Sequence, residues 1–218
     1  MSTMDAPTSF FGAYRRTIIV VASLVGILLF SFVPIWPAAE CASAGGAECM
    51  VTLRRAIWVD LYEFFLWLET TPFGTIGKTW GAAFAFVEAI HLLGMALLGG
   101  AVFVSDARLL GVAFKDVPCH EVLDKAHNVF FWGLIIALST GVFMACGVAG
   151  KIYFLPVYWY KMLALITGIL FVYFIKRPML KRGVDNLTPL MVRLLAVSSI
   201  MVWVTVAATG RWIGFAGS

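Results

Sequence analysis

The chain of 218 residues is 61% hydrophobic and 13% charged, with a mean hydropathy of +0.94. Water-soluble globular chains are about half apolar and about a quarter charged, so a soluble domain is excluded and lipid is needed to cover the excess. The net charge of +4 sits between apolar blocks, where it reads as a topology signal and not as a nucleic-acid surface.

Five segments are apolar over the length, about 20 residues, that a helix needs to cross about 30 Å of hydrocarbon. They are 17–37, 79–104, 129–148, 157–175 and 191–209. Arg15 and Arg16 precede the first, whose apolar run is longer than a signal-peptide core, so we read it as a retained N-terminal helix; Ala38, Ala39 and Ala42 leave cleavage open. Residues 38–78 form an external loop. Its Gly-rich part holds Cys41 and Cys49, placed to pair in an oxidising compartment. Its second part, 56–68, is apolar but short and interrupted by Asp60 and Glu63. That pattern predicts an amphipathic helix in the outer interface, with Trp58, Phe64, Phe65 and Trp67 toward lipid or the bundle. Thr71-Pro72-Phe73-Gly74 then turns the chain back. Residues 79–218 are the four-helix core. The expected fold is therefore all-α: one integral membrane bundle over 1–218, with about five transmembrane helices and one interfacial amphipathic helix on the outer side. With the N-terminus inside, ten of the 16 Lys and Arg fall on the cytoplasmic side, which predicts a cytoplasmic N-terminus and an outward C-terminus.

Ionisable groups inside a span are costly and are candidates for function. Glu88 and His91 lie near the middle of the second span and, three residues apart, share one helical face. Gly94, Ala96, Gly99 and Gly100 follow, a thin face for a second helix or a flat cofactor. One reading makes His91 the metal ligand of a haem b, with Lys161, Arg211 and Lys78 neutralising propionates toward the outer face. His127 does not serve as its second ligand, because the two histidines differ in depth by roughly 18 Å. Met95, Met144, Met162 or no protein ligand fit better. A di-iron site built on Glu-x-x-His lacks further carboxylates. Two other readings stand: proton-coupled transport through Glu88 and His91, or a structural cluster of Glu88, His91 and Lys161 in a cofactor-free accessory subunit of a membrane complex.

His120 and His127 read as a solvated face beside Glu121, Asp124 and Lys125, and Pro156 as a helix-start residue. Trp80, Trp132, Trp159, Tyr158, Tyr160 and Trp212 fit an aromatic belt. Walker, dinucleotide, nucleophile-elbow and zinc-cysteine signatures are missing, and no residue is assigned a catalytic role.

Three pieces carry a family likeness: Glu88-Ala89-Ile90-His91-Leu92-Leu93-Gly94, then Asp106-Ala107-Arg108-Leu109-Leu110-Gly111, then Thr140-Gly141 with Tyr158 to Lys161. From about residue 61 to 177 the chain resembles a family of uncharacterised bacterial polytopic membrane proteins with Glu-x-x-His-x-x-Gly and Asp-x-Arg-x-x-Gly motifs. The resemblance implies a bacterial protein with no established activity; with the charge distribution above, the expected location is the inner (plasma) membrane with a periplasmic C-terminus. The His-x-x-Gly face is also similar to that of small membrane haem proteins and copper-resistance membrane proteins. The expected function is thus a b-type haem protein in membrane electron transfer, with His91, Glu88, Gly94, Lys161 and Arg211 at the cofactor. Its expected partners are the bilayer and a membrane-complex or periplasmic redox protein.

Overall fold

The computed structural model describes residues 53–216, and side chains from 61 to 215. The segment 17–37 and the Cys41–Cys49 pair lie outside the described residues. Within them the chain is all-helical: α1 (Leu53–Thr70), α2 (Pro72–Thr79), α3 (Gly81–Leu109), α4 (Cys119–Gly147), α5 (Ala149–Tyr153), α6 (Pro156–Leu170), a π-helical turn (Phe171–Lys176), α7 (Arg177–Lys181), a 3₁₀ turn (Val184–Asn186) and α8 (Pro189–Ala216).

Four helices are long and apolar enough to cross a membrane: Gly81–Leu109, Cys119–Gly147, Pro156–Lys181 and Pro189–Phe215. Each overlaps one of the four later predicted spans: the last two contain theirs, while Gly81–Leu109 starts two residues later than expected and Cys119–Gly147 stops one residue short, each running well past its span at the other end. Hydropathy marks only the apolar middle of a helix, whereas the backbone ladder continues wherever helical spacing still buries one face. α4 shows this best, starting ten residues earlier than expected, at Cys119 instead of 129. Its added turns bury Val122 and Ala126 and lead into buried Phe130, a stripe at helical spacing that the polar residues between them conceal. Pro156 opens α6 as expected.

α3 and α4 pack most closely of all. A Cβ on Gly94 would stand 2.8 Å from Ile136 Cγ2 and 3.0 Å from the Ala137 nitrogen, and one on Gly133 would stand 2.8 Å from the Leu98 nitrogen. The two glycines let the backbones meet, as small residues do between membrane helices. α8 packs on α3 and on α6, burying Leu195, Ala196, Trp203 and Val206 in the main core. Outward faces stay apolar, with Phe86, Leu92, Phe103, Val142 and Phe174 all exposed, a surface suited to lipid.

At the end where α3 begins and α4 finishes, the short helices form a second cluster. Phe65 of α1 packs with Tyr153, Tyr158 and Trp159, while Phe64 and Trp67 point outward. Glu69 ties three elements together: it pairs with Lys78 of α2 and accepts the Gly150 N–H of α5 at 2.7 Å. Thr71-Pro72 ends α1 as expected but also starts α2, with the Thr71 hydroxyl accepting the Gly74 N–H. Tyr153 is fully enclosed here, and burial pushes its hydroxyl up to about 12.

Candidate functional site

The structure separates the polar residues into two regions. The first is the His91 face. His91, half-buried on α3, lies against α4, where its Nδ1 is 2.9 Å from the Thr140 hydroxyl. That hydroxyl donates its own proton to the Ile136 carbonyl at 2.5 Å, so it accepts from Nδ1–H, and the neutral ring keeps its lone pair on Nε2. Gly141 makes room for the ring: a Cβ there would be 3.3 Å from His91 Cε1. Lys161 and Glu88 are near enough for their charges to act on the imidazole. The Lys161 ammonium lies against Gly210 of α8. Glu88 is exposed on α3, and among the described residues it forms no ion pair with His91 or Lys161. Arg211 is exposed, its guanidinium 4.7 Å above the Phe215 ring. Gly94 is taken by α4, so the thin face predicted there seats a helix. Gly99 and Gly100 remain open.

The second region lies at the opposite end of the bundle. Asp106 is completely buried and Lys176 is 7% exposed, with Nζ 2.5 Å from Oδ1. The ammonium also donates to Ser105 of α3 at 3.2 Å and Ser199 of α8 at 3.0 Å. All three of its protons are therefore used, which is the condition for keeping a charge inside a protein. Among the described residues Asp106 Oδ2 has no hydrogen-bond partner. Lys176 closes the π-helical turn, whose extra residue rotates the helix face and brings the ammonium inward; such turns are common where geometry is specialised. By sequence Lys176 is a topology signal and Asp106 only part of a motif. Antiparallel counting could have placed them together, since the second and fourth spans both end on the same side.

Beside this pair, α4 and the α6–α7 helix diverge around a cavity of about 770 Å³. His127 lines it, half-buried between Phe130 at 6.1 Å and Tyr173 at 5.8 Å, and His120 lines its exposed mouth. The solvated face expected for both thus holds for His120, while the longer α4 carries His127 into the bundle. His91 is level with Thr140, and His127 lies thirteen residues, about 20 Å, farther along α4. The two rings belong to separate regions. Cys119 and Cys146 are free thiols, and among the described residues no group of three His, Cys, Asp or Glu side chains converges to hold a metal.

The motifs now have physical roles. In Asp106-x-Arg108-x-x-Gly111, Asp106 holds Lys176 and Arg108 donates to the Val117 carbonyl at 3.0 Å, closing the following loop. Gly111, at φ +71°, ends α3: Val112 N–H reaches the Ala107 carbonyl and Gly111 N–H the Arg108 carbonyl, a left-handed helix stop that favours glycine. Thr140 and Gly141 seat His91, and Gly94 admits α4. Glu88 alone has no such role. No curated protein and no solved structure matches the chain. The model of one family does match, over residues 64–216, a range that takes in every motif above, and the chain belongs to that family of unknown function, DUF6644.

Proposed function

We propose that this is a membrane-embedded b-type haem protein taking part in electron transfer, with His91 as the ligand. The observation that carries the reading is the Thr140 contact, which fixes the ring orientation and puts the lone pair on Nε2, as an outer partner of a ligating imidazole does. His91 is the one ligand that the described contacts support. Met95 is one turn along α3 on the same face as His91, so it does not reach the far side of a macrocycle, and His127 is about 20 Å away along α4. Lys161 and Arg211 supply cations for propionates. Haem would contribute a one-electron carrier; the chain contributes ligand, orientation and the apolar surroundings that tune such a centre.

Charge supports a cytoplasmic placement of the cavity end. Arg108, Lys115, Lys125, Lys176, Arg177, Lys181, Arg182 and Arg193 lie there, against Lys78, Lys151, Lys161 and Arg211 at the other end. This fits an inner membrane with the His91 face in the outward half.

A second reading is favoured by Glu88. An exposed carboxylate on an apolar span calls for a covering partner, which suits an accessory subunit of a membrane complex or a proton-coupled transporter working through Glu88 and His91.

Absorption spectra of protein purified in mild detergent, oxidised and then dithionite-reduced, test the first reading. A Soret band that sharpens on reduction and is lost in His91→Ala is the expected result. A colourless, metal-free wild type overturns it and leaves the second.

A further inference from the structure

We infer that the cavity between α4 and the α6–α7 helix is a binding site for an anionic phospholipid, a property independent of any haem at His91. The cavity is graded along its axis. Its floor is apolar, made by Ala101, Phe130 and Val172, while Arg108, Arg177 and Lys181 stand at its mouth. The seven residues from Ala101 to Arg108 put the two levels about 10 Å apart. An apolar floor under a cationic rim is the complement of an amphiphile, an alkyl chain joined to a phosphate, and basic pockets between membrane helices hold such headgroups.

Charge accounting separates wall from ligand group. Lys176 lines the cavity too, but its protons are spent on Asp106, Ser105 and Ser199, so the pair is neutral wall. Arg177 and Lys181 have no carboxylate within ion-pair distance among the described residues. Asp124 and Asp185 also line the cavity, leaving the three mouth cations one positive charge in excess. The volume of about 770 Å³ far exceeds a bare phosphate ion and has room for a headgroup with the start of its chains. A phosphate group is the shared chemistry of lipid and free ion; the apolar floor favours the lipid.

The test is native mass spectrometry of the full chain in detergent, titrated separately with phosphatidylglycerol, phosphatidylcholine and inorganic phosphate. Phosphatidylglycerol should be retained and phosphatidylcholine released. The Arg177→Gln/Lys181→Gln double variant should bind phosphatidylglycerol about thirtyfold more weakly, at about fivefold per cation, and Lys151→Gln at the other end should bind like wild type. Leu123→Trp, which narrows the cavity and leaves the cations in place, should also lose the lipid. Equal retention of both lipids, or unchanged binding in the double variant and in Leu123→Trp, would overturn the inference. Displacement of phosphatidylglycerol by inorganic phosphate at equal concentration would overturn the lipid assignment.

Discussion

The two polar regions solve the same problem in opposite ways. At the cavity end the charges are enclosed: Asp106 and Lys176 meet each other and two serines inside the protein. On the His91 face the ring is oriented by Thr140, Glu88 is exposed, and Lys161 has no carboxylate within ion-pair distance among the described residues. Closed networks specify helix positions; open ones retain reactivity. The comparison gives the Asp106–Lys176 pair itself structural work and leaves the His91 face as the place for the proposed chemistry.

The sharpest way to break this contrast is to remove one partner of the enclosed pair. Asp106→Ala leaves a buried ammonium unmatched and should cost about 3–5 kcal/mol, whereas Asp106→Leu with Lys176→Met should be near neutral or stabilising. Reversible unfolding in detergent reads both; equal losses would show that the pair is not a unit. Gly94→Leu comes next. It drives a side chain into Ile136 and Ala137 and should cost about 1–3 kcal/mol, while Gly99→Leu, with nothing within 4 Å, should leave the thermal midpoint unchanged. Thr140→Val removes the hydroxyl that receives the Nδ1–H of His91, a loss of about 1–2 kcal/mol. If haem is bound, its affinity should also fall about tenfold or more, seen as haem retained per chain on dilution. Glu88→Gln is the smallest, within about 0.5 kcal/mol in stability, and a larger loss would place Glu88 in a network with its neighbours.

Much of the fold was legible because lipid imposes a simple rule: long apolar runs become helices. The four later spans followed from it, as did the start of α6 at Pro156. The ends of those spans were less legible, because hydropathy weighs His120, Glu121, Asp124, Lys125 and His127 against helix continuation, while the buried stripe of Val122, Ala126 and Phe130 decides for it. The His91 face was visible in the spacing of Glu88, His91 and Gly94. Its partner Thr140 was seen only as a motif, since which residue lies across a helix pair depends on the register that Gly94 and Gly133 set. Lys176 was hardest, because a π-helical turn shifts the face by one residue and no local composition announces it. The cavity follows from that divergence of two helices and has no signature in either helix alone.

The most direct test of the central claim compares the two histidines in one measurement: haem per chain, from the reduced absorption spectrum, for wild type, His91→Ala and His127→Ala. The account predicts near-complete loss in His91→Ala and retention in His127→Ala. Loss in His127→Ala with retention in His91→Ala would contradict it and move the chemistry to the cavity end.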